Sequence, residues 1–155
     1  MGTTLPPGFH AELGSEPELA QSHDIVCVRA SNPSPYTLSG TNTWLVGRAP
    51  TFAIDPGPRE DGHLRQLREA IDARGGLGGI ALTHDHRDHS EAVDSLRGER
   101  PVPLAGARGA VDVVLADGVR FGPLEAVATP GHAPDHFAFV AAGACFTGDA
   151  VLGQG

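Results

Sequence analysis

At 155 residues, with 40% apolar and 19% charged side chains, the chain suits one domain with a real core and contains no low-complexity tract or solenoid repeat. A net charge of −8 with histidines neutral, and no dense Lys/Arg cluster, excludes the electrostatic profile of tight nonspecific nucleic-acid binding. No run approaches a membrane span, and Met1 to His10 lacks a basic segment followed by an apolar one, so a cytoplasmic protein without a membrane partner is expected.

Residues 1–23 are polar and broken by Pro6, Pro7, Gly8 and Pro17, which reads as an extended leader. Asp24–Arg29 reads as a strand, Ser31–Gly40 as a proline-rich loop, and Thr41–Gly47 and Thr51–Asp55 as two strands joined by a turn at Arg48-Ala49-Pro50. From Arg59 to Arg74, Leu64, Leu67, Ala70 and Ile71 fall on one helical face, and Gly75-Gly76 ends the helix. The apolar run Gly79-Ile80-Ala81-Leu82 predicts a buried strand ending at Thr83, followed by a helix from Asp88 to Leu96 closed by Gly98. Short strands are expected around 102–104, 111–115, 118–121 and 124–129, then a hairpin of Phe137–Val140 and Ala144–Thr147 about Gly143. Cys27 and Cys145 lie in apolar strand-like runs and are expected to be buried thiols, since two cysteines make no disulfide framework.

Chemistry concentrates in Thr83-His84-Asp85-His86-Arg87-Asp88-His89-Ser90, where three histidines and an aspartate sit at i, i+2, i+4 and i+5. Chance placement of that pattern somewhere in the chain is on the order of one in a thousand. A strand ending at Thr83 delivers these side chains to the C-terminal rim of the sheet, where open α/β sheets bind ligands. Neutral imidazoles and carboxylates suit zinc, with iron and manganese next. Asp55, His132 and Asp149 also stand at predicted strand ends, in Ile54-Asp55, Thr129-Pro130-Gly131-His132 and Phe146-Thr147-Gly148-Asp149.

With these four motifs in this order, the sequence resembles the metallo-β-lactamase-fold hydrolase superfamily from about Asp24 onward. The resemblance implies an α/β fold, an αββα four-layer sandwich of the metallo-β-lactamase type, in a single domain spanning residues 1–155. It makes His84, His86 and His132 the ligands of one zinc, Asp88 and His89 ligands of a second, and Asp149 a bridge between the two. Asp88 would also orient the attacking water, while Asp55 and His136 would support the ligands from behind. The implied reaction is metal-dependent hydrolysis of a small ester, thioester, lactam or phosphodiester.

Residues 32–43, Asn-Pro-Ser-Pro-Tyr-Thr-Leu-Ser-Gly-Thr-Asn-Thr, look like the leader of the β-lactamase-like protein 2 branch, which includes a single-strand-specific endoribonuclease. RNA is therefore the alternative substrate. Two departures from the family pattern stand out. Ser90-Glu91-Ala92 replaces a common Ser-Gly-Gly, and no histidine after Asp149 completes the second metal position. The C-terminal half is thus expected to be incomplete, leaving exposed apolar strand edges and a tendency to homo-oligomerise. An inactive metal-binding module that needs a completing chain is the reading from outside the enzyme class. His10, His23 and His63 carry no assigned role, and Asp85 and Arg87 are expected to face solvent or substrate rather than to act as ligands.

Overall fold

A computed structural model describes residues 24–151, so the expected leader, with His10 and His23, lies outside the described residues. β1 (Ile25–Arg29), β2 (Asn42–Val46) and β3 (Thr51–Ile54) form an antiparallel meander, with Cys27 opposite Trp44 and Trp44 opposite Ile54. α1 (Asp61–Ala73) then crosses over to β4 (Leu77–Ala81), which pairs parallel with β3. β5 (Leu104–Gly106) and β6 (Val113–Val114) continue in parallel, completing a six-stranded sheet in sequence order. β7 (Arg120–Phe121), β8 (Leu124–Ala128), β9 (Phe137–Ala141) and β10 (Ala144–Phe146) form a separate antiparallel sheet.

The period-two alternation of strands sends neighbouring residues to opposite faces. Leu45, Ala53 and Ile80 pack against Leu64, Leu67 and Ile71 of α1, whereas Val46, Ile54 and Ala81 face the second sheet. That sheet contributes Phe121, Leu124, Phe137, Phe139 and Phe146, and Phe139 is fully buried. The described residues therefore form one helical layer over two sheets; a second helical layer is not among them. On the outer face of the small sheet, Val127 and Val140 are exposed.

Glycine ends α1 as expected. Gly75 N–H bonds to Asp72 O and Gly76 N–H to Ile71 O, with both glycines at positive φ, the Schellman arrangement. The expected single helix over Asp88–Leu96 is instead two, α2 (Arg87–Ser90) and α3 (Val93–Glu99). Ala92 N–H bonds to Gly57 O rather than back into the preceding turn, which breaks the ladder there. Gly98 lies inside α3, and the stop comes at Arg100, whose extended backbone is what the following Pro101 demands.

The cysteines also depart from expectation. Cys145 is exposed and Cys27 half-buried, and neither is in a disulfide. Cys145 pairs with Val140, on the outward side of a strand whose inward side chain is Phe146.

Candidate metal centre

The ends of β3, β4 and β10 and the loop before β9 meet at one rim. Asp55 leaves β3 with a φ of +51°, a left-handed conformation that is uncommon outside glycine. Thr43 Oγ1 donates to its carbonyl at 2.8 Å, and His63 Nε2 donates to the next carbonyl, Pro56 O, at 2.9 Å. The helix side clamps the same turn, because Gly57 N–H bonds to His89 O at 3.0 Å. The Asp55 carboxylate is thereby fixed in the interior, 2% exposed.

There it collects three donors. Thr83 N–H reaches Oδ1 at 2.8 Å, while Thr83 Oγ1–H and His89 Nδ1–H reach Oδ2 at 2.7 and 2.9 Å. Because the Thr83 hydroxyl donates to Asp55, it accepts from His84 Nδ1–H at 2.9 Å. This relay puts a proton on Nδ1 of both histidines and turns each Nε2 towards the rim. His89 Nε2 lies 3.3 Å from both Asp88 Oδ2 and Asp149 Oδ1. His84 Nε2 is buried and has no hydrogen-bond partner, with Asp149 Oδ2 at 3.7 Å.

His86 and His132 complete the cluster from exposed positions. His132 Nε2 is 3.1 Å from His86 Nδ1 and 3.3 Å from Asp149 Oδ2. One ligand-type atom each from His84, His86 and His132 falls within a 4.8 Å span, as do atoms of Asp55, His84 and His89. The second grouping is better read as support than as a site, because both Asp55 oxygens are occupied by donors. A buried imidazole nitrogen left without a partner costs free energy unless something fills the gap. A divalent cation fits that gap by donor type, number and spacing.

His136 stands behind Asp149. Its Nδ1 bonds the Thr129 hydroxyl at 2.8 Å, and its Nε2 accepts from Asp149 N–H at 3.2 Å. Gly148 makes that approach possible. Its φ is +50°, and a β-carbon there would lie 2.7 Å from Thr83 Oγ1 and 2.9 Å from His136 Nε2. Gly148→Ala is therefore expected to displace Asp149, to destabilise the fold by about 1–3 kcal/mol as overpacking does, and to weaken zinc binding at least tenfold, read by urea unfolding and by competition with a chromophoric chelator.

The electrostatics separate the histidines. Burial, aided by nearby His89, lowers His84 to about 4, so its imidazole is neutral at physiological pH. At His89 burial also opposes the charge, but hydrogen bonds and Coulomb attraction from Asp149 and Asp55 outweigh it and raise the group to about 10. Since the folded value lies above the ordinary 6.5, the charged His89 stabilises the metal-free fold fully below pH 6.5 and loses that contribution as pH rises through about 10. Burial opposes ionisation of Asp149, yet its hydrogen bond to His89 holds it below the usual carboxylate range. Burial lowers His136.

A groove of about 300 Å³ opens beside the cluster. Tyr36, Leu38, Trp44 and Phe146 supply apolar surface, and Asp88, His89 and Asp149 also line it.

No family model matches the chain. Among curated proteins, the lactamase-like protein aptB of Emericella nidulans is 35% identical over 146 residues, 84% of this chain and 46% of that protein. The thioesterase pkgB of the same organism is 36% identical over 86% of this chain and 42% of its own length. A β-lactamase-like protein 2 homolog of Caenorhabditis elegans is 30% identical over 90% of this chain and 54% of its own length. The chain thus spans about half the length of the curated relatives it matches. Among solved structures, ETHE1 from Myxococcus xanthus superposes with a TM-score of 0.66 at 28% identity, over 83% of this chain and 58% of that one. The BLEG-1 B3 metallo-β-lactamase gives 0.59 at 19% identity, over 76% and 66%, a likeness of fold.

The chain has the metallo-β-lactamase fold. In this metallo-β-lactamase-fold chain all eight residues singled out from the sequence, Asp55, His84, His86, Asp88, His89, His132, His136 and Asp149, gather at one rim. Asp85 and Arg87 point away into exposed ion pairs with Arg108 and Glu91. Thr83, Thr43 and His63 were not singled out, although the first two hold Asp55 directly and His63 braces the turn after it. Thr83 had a readable signal, a hydroxyl placed between a buried strand and the first histidine. His63 is buried against Pro56 O through the crossover of α1, a contact invisible in its local sequence.

Proposed function

We propose that this metallo-β-lactamase-fold chain is a metal-dependent acyl hydrolase acting on a small thioester or ester. The observation that carries the metal requirement is the buried, partnerless His84 Nε2 facing His86, His132 and Asp149. A bound zinc, or iron or manganese in its place, would polarise the substrate carbonyl and lower the pKa of water towards neutrality. His84, His86 and His132 would hold one ion through their imidazole nitrogens, and Asp88, His89 and Asp149 would offer a second position.

Asp88 lines the groove with Oδ2 3.3 Å from His89 Nε2, and in this reading it orients water and takes its proton. Trp44 and Phe146, in tilted contact with centroids 5.5 Å apart, wall the groove and seat the acyl portion away from water. The choice of an acyl substrate over RNA rests on charge. No lysine or arginine lines the groove among the described residues, and its lining includes the carboxylates of Asp88 and Asp149. A polyanion meets repulsion there, whereas phosphate-backbone binding calls for cations. The thioesterase name of one relative points the same way.

Turnover of an acyl-thioester by the zinc-loaded chain, assayed beside a single-stranded RNA, tests this reading. Thioester cleavage abolished by chelator and restored by zinc is expected. RNA cleavage without thioester cleavage would favour the endoribonuclease, and bound metal without turnover of either would favour a metal-binding module.

A further inference from the structure

His86 and His132 are both exposed, and they come from loops that follow strands in different sheets, so core packing does not by itself set the distance between them. One backbone bond, Phe137 N–H to Thr83 O at 2.8 Å, joins the two loops at the inner end of the rim. At the outer end stands Arg108, in the loop after β5. Its guanidinium reaches Asp85 through Nε to Oδ2 at 3.0 Å and Nη2 to Oδ1 at 3.2 Å, and its Nε also lies 2.9 Å from Asp135 Oδ2. Asp85 separates His84 from His86 in the chain, and Asp135 lies between His132 and His136. The other Asp135 oxygen is buried without a hydrogen-bond partner, which leaves Arg108 as the neighbour that offsets its charge.

We propose that Arg108 is a positioning residue, which by bridging Asp85 and Asp135 ties the His84–His86 loop to the His132 loop and sets the spacing of the three imidazoles. The inference rests on the metal-site reading above. A planar fork that holds one carboxylate bidentately while touching a second does what an ammonium cannot. Direct Coulomb effects run the opposite way. A cation at this distance repels a divalent metal, and removing it also unmasks two carboxylates, so loss of charge alone would tighten metal binding.

Zinc affinity, read by competition with a chromophoric chelator, decides between the two. The proteins compared are wild type, Arg108→Gln, Arg108→Lys and Arg120→Gln, the last removing an exposed arginine paired with Glu125 at 2.7 Å. Loss of an outer support for a metal ligand weakens binding roughly 10–100-fold. Arg108→Gln is expected at the lower end, with a dissociation constant about 10-fold higher, Arg108→Lys between it and wild type, and Arg120→Gln unchanged. Thermal unfolding of the metal-free variants is expected to match wild type, because the arginine is exposed. Unchanged or tighter zinc binding by Arg108→Gln overturns the positioning role while leaving the metal site standing. A wild-type chain that binds no zinc overturns the metal-site reading and this inference with it.

Discussion

Asp55→Ala will destabilise the metal-free protein by about 3–5 kcal/mol, the range for breaking a buried ion pair by removing one partner. The carboxylate is 2% exposed and accepts from Thr83 N–H, Thr83 Oγ1–H and His89 Nδ1–H. Truncation strands all three donors in a site closed to water and leaves His89 with its charge compensated only from the Asp149 and Asp88 side. Asp55→Asn is nearly isosteric and separates shape from charge. It retains an acceptor for Thr83 N–H but turns an NH2 towards two donors, so it too is strongly destabilising. Asp117→Ala is the control, because Asp117 accepts one backbone N–H, from Ala128, at an exposed site. It should fall within about 1 kcal/mol of wild type. Urea unfolding of the three variants measures the difference, and an Asp55→Ala loss no larger than that of Asp117→Ala would remove the relay from Asp55 through Thr83 to His84.

The relay also marks where sequence reading reaches its limit. The cluster from His84 to His89 was legible because its donors are contiguous and follow an apolar strand, so local pattern and chemistry coincide. Asp55, His132, His136 and Asp149 lie far from that cluster in the chain and were gathered through the ordered motifs of a resemblance, with spacing alone insufficient to place them at one rim. The break between α2 and α3 was not legible, since it depends on Ala92 N–H meeting the carbonyl of Gly57, from a loop on the other side of α1. The exposure of Cys145 depended on which face of a three-residue strand points inward, and neighbouring Phe146 settles that only once the second sheet is in place. Arg108 carried no signal at all. Its two carboxylate partners come from loops flanking the histidines, 23 residues upstream and 27 downstream in the numbering.

His84→Ala carries the second large effect, on metal rather than on stability. His84 is the deepest of the three clustered imidazoles, at 3% exposure, and is common to both groupings of ligand-type atoms. Its hydrogen bond to Thr83 aims Nε2 inward, and its lowered pKa of about 4 removes proton competition at that atom above mildly acidic pH. A preoriented, neutral and unpartnered donor gives up little to bind a cation. Removing it should weaken zinc binding by more than the roughly 10–100-fold that loss of an outer support costs. Removal of His63, which braces the Asp55-Pro56 turn without facing the rim, should stay within that range.

Zinc titration of the purified wild-type chain beside His84→Ala, with bound metal quantified after dialysis, tests the central claim most directly. The account predicts at least one tightly held zinc per wild-type chain, released by chelator, and none retained by the variant. A wild-type chain that retains no zinc, or a variant that retains as much as wild type, would contradict it.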